Sequence, residues 1–181
     1  MTPRSARNGR LILGIDPGST VTGYGVVRLC GRRMEALEYG ILRAARPKHP
    51  LAMRLRALFE AIEALLGRVS PDVVAVEGIF SHLNFQSALR LAHARGVVVL
   101  AAARAGVEIR EYAPRHVKMA TAGNGSAEKA QVQAMVRRLL GLPPEEKIPY
   151  DASDALAVAL CEANGWPLRE ALSGAREAGR A

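Results

Sequence analysis

The sequence predicts an α/β fold: a five-stranded mixed sheet, an antiparallel meander extended by parallel strands, with helices on both faces. Three observations lead there. The first three strand-like segments, within residues 11–44, follow one another through links too short to hold a helix, so they pair antiparallel. The apolar period then changes to the helical one, and helices alternate with strands, which calls for parallel strands joined by crossovers. Finally, Val73-Val74-Ala75-Val76 is continuously apolar, as expected of a strand covered on both faces.

Each element has its own signal. Leu11–Asp16 is a short apolar run stopped by Pro17-Gly18, a strand and a turn. Val21–Cys30 and Met34–Ala44 are strands around Gly31-Arg32-Arg33. Leu55, Leu58, Phe59, Ile62, Leu65, Leu66 and Val69 repeat at helical spacing until Pro71-Asp72. After Val73–Val76 comes a helix over about Asn84–Ala105, with Gly96 as a weak point, then a strand at Val107–Tyr112. Ser126 is placed to cap a helix reaching Leu140 and ended by Gly141-Leu142-Pro143-Pro144, and Asp151–Asn164 is a last helix closed by Gly165. The crossover rule makes the strand at Val73 a parallel neighbour of the first strand.

Composition bounds the class of function. The 181 residues are 49% hydrophobic and 23% charged, an ordinary globular balance that excludes a disordered or collagen-like chain. They suit one domain over residues 11–165, with a flexible basic arm at 1–10 and a tail at 166–181 whose charged, alanine-rich run from about Pro167 reads as a frayed helix. Cys30 and Cys161 lie far apart and outside any C-x-x-C spacing, which fits a reducing, cytoplasmic setting, and no apolar run is long enough to span a membrane. Residues 1–10 lack the apolar stretch of a secretory signal. Lys and Arg exceed Asp and Glu by 25 − 17 = 8, and the pI is near 10.2, so a polyanion is the expected partner. Only 4% of residues are aromatic, too few for a surface tiled with base-stacking rings.

The chemistry is carried by acids. Asp16 ends the first strand and Glu77 follows the strand Val73–Val76. If these strands are parallel neighbours, both carboxylates leave the sheet at the edge where α/β ligand sites gather. Asp151 and Asp154, three apart at a helix start, share a face with Ala155 and Val158 that packs on the sheet. Four converging carboxylates repel one another, and divalent Mg²⁺ or Mn²⁺, which take hard oxygen ligands, would relieve that. Two such ions roughly 4 Å apart serve phosphodiester hydrolysis by activating water and stabilising the leaving oxygen. Taken singly, Asp16 reads as a turn residue, Asp151 as a helix cap and Glu77 as a solvated strand end. It is their joint placement that favours a site. His49, His82, His93 and His116 show no metal-ligand spacing.

The segments Ile12-Leu13-Gly14-Ile15-Asp16-Pro17-Gly18-Ser19 with Gly23-Tyr24-Gly25, Val76-Glu77-Gly78-Ile79-Phe80, Ala94-Arg95-Gly96, Gly125-Ser126-Ala127-Glu128-Lys129 with Gln131-Val132-Gln133, and Asp151-Ala152-Ser153-Asp154-Ala155-Leu156-Ala157 together resemble the RuvC family of bacterial Holliday-junction resolvases. The likeness spans about residues 11–165. It implies a ribonuclease H-like fold and a homodimer, with the helical run around Gln86–Ala103 as dimer contact. The implied activity is paired, symmetric, Mg²⁺-dependent nicking of four-way junction DNA in recombination and repair, leaving ligatable ends. The branch-migration proteins RuvA and RuvB are implied partners. Asp16, Glu77, Asp151 and Asp154 become the metal-binding acids, with Asp16 bridging two ions. The resemblance likewise implies that Lys118 and Lys129 lie near the scissile phosphate and that Phe80 stacks on an unpaired base at the crossover. The basic arm and the stretch Ser81–Gln86 depart from the family pattern, which puts sequence preference in question more than chemistry.

Other readings stay open at this level. A catalytically inactive binder of branched DNA, or a ribonuclease H-like nuclease acting on RNA, would share the fold. An actin-like phosphotransferase with a similar Asp-Pro-Gly loop needs two such lobes, more than 181 residues provide.

Overall fold

The computed structural model describes residues 9–18, 20–43, 48–78 and 85–178. Along the chain these form β1 (Arg10–Asp16), β2 (Val21–Cys30), β3 (Arg33–Arg43), α1 (Leu51–Val69), β4 (Val73–Glu77), α2 (Phe85–Arg104), β5 (Glu108–Tyr112), α3 (Pro114–Ala122), α4 (Lys129–Leu140) and α5 (Tyr150–Ala178). The five strands make one sheet in the order β3-β2-β1-β4-β5. The β1–β2–β3 meander is antiparallel, while β4 lies parallel to both β1 and β5, as the strand pattern predicts.

Alternation along the strands sorts the core into two layers. Leu13, Ile15, Val74 and Val76 face α1 and α2, where they pack with Leu58, Ile62, Leu65 and Val98. Ile12, Val73, Ala75 and Val27 face the other way, against Val132, Val136, Leu156 and Leu160 of α4 and α5. By the same alternation Gly14 and Asp16 of β1 and Glu77 of β4 belong to the α5 side.

Three glycines set how close α5 lies. A Cβ on Gly14 would overlap the carbonyl oxygen of Ala155, one on Gly23 the carbonyl of Asp151, and one on Gly25 the side chain of Leu156. Gly14 pairs with Gly25, and Gly23 with Asp16. The first half of α5 therefore beds on a strip of bare backbone across β1 and β2.

Three elements differ from the sequence expectation. The helix α3 falls in a stretch read as connection. It is short, begins at Pro114 and is stopped by Gly123 in the left-handed conformation (φ 72°). The helix α4 begins at Lys129, not at Ser126. Glu128 is its cap, closing a capping box with Gln131, whereas the Ser126 amide donates to Asn124 Oδ1 at 2.9 Å in the preceding turn. The helix α5 runs past Gly165 to Ala178. The cause is a tie across the turn: Arg169 forms an ion pair with the fully buried carboxylate of Glu162 and donates to its carbonyl at 3.0 Å. Gly96 leaves α2 unbroken.

Candidate active site

Asp16 and Glu77 stand side by side. Their strands are paired in parallel up to Ile15–Val76, so the next step places the two carboxylates at the same sheet edge and on the same face. A hydrogen-bonding contact links the two carboxyl groups. Burial, reinforced by the charges of Glu77, Asp154 and Asp151, pushes the Asp16 carboxyl up to about 8, with Lys129 opposing. Burial, together with the charge of Asp154, also raises Glu77, against the shared hydrogen bond and the pull of Lys129 and Lys118.

The other two acids come from the opening turns of α5. The glycine bed under Ala155 and Asp151 brings that end of the helix down to the strand ends. The loop before it is tied at several points. The Arg137 guanidinium donates to the carbonyls of Pro143 (2.8 Å) and Glu146, Tyr39 donates to the Glu146 carboxylate, and Gln133 Nε2 donates to the Ile148 carbonyl at 3.0 Å. The Ser153 amide then bonds the Pro149 carbonyl at 2.9 Å, and the helix is under way.

Cations approach from the neighbouring helices. The capping box starts α4 at Lys129, whose Nζ lies 3.2 Å from Asp154 Oδ2. The charge of Asp154, then those of Asp16 and Asp151, raises the Lys129 ammonium further above its ordinary range. Lys118, on α3, acts electrostatically on Glu77. Six of the residues singled out from the sequence thus meet at one edge. Phe80 lies outside the described residues. Of the histidines, His116 sits edge-on to Tyr112 with ring centroids 5.6 Å apart, and His49 and His93 are exposed.

The donor set suits a hard divalent cation: only carboxylate oxygens, and more negative charge than the neighbouring lysines cancel. Among the described residues no three His, Cys, Asp or Glu side chains close into a metal-holding cage. The acids meet as the Asp16–Glu77 pair with Asp154 and Asp151 in electrostatic reach. What the sequence reading missed is the glycine bed. Its signal was present as glycines at alternate positions in otherwise apolar strands.

The family model for crossover junction endodeoxyribonuclease RuvC matches residues 12–162. This chain belongs to the RuvC family. The RuvC of Desulforamulus reducens is 46% identical over 153 residues, covering 84% of this chain and 93% of that protein. The solved structure of Thermus thermophilus RuvC superposes with a TM-score of 0.79 at 36% identity, covering 87% of this chain and 96% of that one. The same RuvC in complex with a Holliday junction substrate gives a TM-score of 0.78 at 34% identity, with the same coverage. The mixed sheet with helices on both faces is thus the ribonuclease H-like architecture of the RuvC resolvases.

Proposed function

We propose that this chain is a crossover junction endodeoxyribonuclease that resolves four-way DNA junctions by paired, symmetric phosphodiester hydrolysis, with Asp16, Glu77, Asp151 and Asp154 as its metal-binding acids. The observation that carries this reading is the Asp16–Glu77 pair sharing a hydrogen bond at the carboxyl ends of two parallel strands, under the N-terminus of α5. Mg²⁺, or Mn²⁺, as two ions held by the four acids, would polarise the attacking water and offset charge on the departing oxygen. Asp16, central and crowded by the other acids, would be the ligand shared by both ions. Lys129 is drawn to Asp154 and Lys118 to Glu77, so both ammonium groups border the site where a phosphate would sit and can offset its charge. In the same reading Phe80, three residues beyond Glu77, stacks on a base unpaired at the crossover.

The protein acts as a homodimer, since two symmetric cuts need two sites. The exposed stripe Leu89, Ala92, Gly96 and Leu100 on α2 is the face for the second copy, whereas Val98 belongs to the core. The RuvA–RuvB branch-migration complex is the proposed partner in a bacterial cytoplasm. Among the described residues no helix is long and apolar enough to cross a membrane.

The deciding experiment is a nicking assay on a synthetic four-way junction, with and without Mg²⁺, mapping both cut strands. Symmetric, Mg²⁺-dependent nicks are expected, with none on linear duplex or structured RNA. Binding without cleavage at any divalent concentration would instead favour the inactive branched-DNA binder.

A further inference from the structure

The chain has four tyrosines, and three are committed: Tyr24 donates to Glu38 at 2.8 Å, Tyr39 to Glu146 and Tyr112 to Glu162. Tyr150 has no such partner among the described residues, and it is 53% exposed. Its position is the telling feature. It is the first residue of α5, directly before Asp151 and one helical turn ahead of Asp154, so Tyr150 and Asp154 share a face. Helical side chains lean towards the N-terminus, which tilts Asp154 towards the turn that carries the ring. Tyr150 therefore stands at the edge of the acid cluster, one helical turn from the Asp154 that meets Lys129.

An exposed ring on a mobile loop would mean little, but the residues leading into this one are tied down. Arg137 holds the carbonyls of Pro143 and Glu146, Gln133 holds that of Ile148, and the Pro149 carbonyl is already in the helix ladder. A rigid, amphipathic ring with few rotatable bonds loses little entropy on contact, and its face accepts any nucleobase. The chain has few aromatics, and this one is exposed at a fixed position one turn from a carboxylate of the site.

We propose that Tyr150 is a substrate-contacting residue, a stacking platform for a nucleobase of the strand that is cut, which fixes the scissile phosphate over the acids. The proposal rests on the nuclease reading above, and its test separates the two. Affinity for a synthetic four-way junction is measured without divalent cations, for wild type, Tyr150→Ala, Tyr150→Leu and Tyr150→Phe. Each is tested on the intact junction and on junctions with one abasic position near the cut.

Stacking predicts that Tyr150→Ala and Tyr150→Leu bind the intact junction about ten-fold more weakly, and that Tyr150→Phe binds like wild type. One abasic position should weaken wild type equally and erase the difference between wild type and Tyr150→Ala. The proposal is overturned if Tyr150→Leu, which keeps bulk without a π face, binds as wild type does, or if the Tyr150→Ala defect persists on every abasic junction. Because this assay requires no cleavage, an absence of Mg²⁺-dependent nicking by the wild-type protein would defeat the nuclease reading while leaving the stacking result intact.

Discussion

At the scale of single residues, the site works against the stability of the metal-free protein. Asp16 ionises near 3.8 in an unfolded chain and at about 8 in the folded one, mainly because it is buried and then because Glu77, Asp154 and Asp151 crowd it. Between those values the folded state keeps a proton that the unfolded state has lost, so this group's contribution to stability falls as pH rises from about 4 to 8. Asp16→Asn removes the conflict. In EDTA its melting temperature should exceed that of wild type by several degrees at pH 8 and match it near pH 4, while nicking is lost and junction binding kept. Equal melting temperatures at pH 8 would contradict the assigned crowding. Lys129 gives the opposite pattern. Its side chain is 69% exposed, so its pair with Asp154 contributes less than about 1 kcal/mol to folding. Lys129→Gln should leave the urea midpoint almost unchanged yet slow cleavage roughly 100-fold.

Elements place these residues, and the bed beneath α5 is where placement is most sensitive. Gly23 has no room for a methyl against the Asp151 carbonyl, backbone that cannot swing aside. Gly23→Ala must lift the start of α5 from the strand edge that holds Asp16. Overpacking of this kind costs about 1–3 kcal/mol, and the displaced acids should lose far more in cleavage than in junction affinity. A Gly23→Ala protein with wild-type turnover would show that α5 tolerates the shift. Much of this arrangement was legible in the sequence. Asp16 and Glu77 could be paired because a meander followed by a crossover strand leaves little choice of neighbour, and Asp151 and Asp154 because a spacing of three fixes a face. The start of α4 was not, because Ser126 and Glu128 are both plausible caps, and only the reciprocal bond with Gln131 selects Glu128. The helix α3 was hidden because nine residues with just Val117 and Thr121 buried make too weak a period. The extension of α5 was legible in part: the tail's charged, alanine-rich composition is helical, but Gly165 and Pro167 are stop signals that separate it from Asp151–Asn164, and the pairing of Arg169 with Glu162 overrides them.

That pairing matters to the whole molecule. Glu162 is fully buried, takes the Tyr112 hydroxyl from the end of β5, and meets Arg169 from the following turns of α5. Trp166 lies between two guanidinium groups, with Arg10 of β1 at 4.6 Å from the ring centroid and Arg169 at 6.0 Å. The second half of α5 is thereby fastened to both the first and last strands. Arg169→Leu leaves a buried carboxylate without its cation and should cost about 3 kcal/mol by urea unfolding. The double variant Arg169→Leu/Glu162→Gln should recover most of that loss, since a neutral amide needs no counter-charge and still accepts from the Tyr112 hydroxyl. If the double variant is as unstable as the single one, packing rather than charge is what Arg169 supplies.

Charge at the scale of the molecule decides how the acidic site meets a polyanion at all. A cluster of four carboxylates repels phosphate, and the net +8 must overcome that repulsion from around it. Many cations are already engaged: Arg28 with Glu35, Arg56 with Glu60, Arg68 with Glu38 and Arg95 with Glu111. Arg43 is better placed. It is exposed at the end of β3, opposite Val21, at the sheet edge that carries Asp16. Junction binding should therefore release counterions and weaken steeply with salt, by about 10³-fold between 50 and 200 mM if six or more phosphates are neutralised. Arg43→Gln should lower the log–log slope by about one and weaken all junction sequences alike, as loss of a phosphate contact does. A salt-independent affinity would mean that the surplus charge is not directed at DNA, and the acidic edge would then have no means of drawing a phosphodiester towards it.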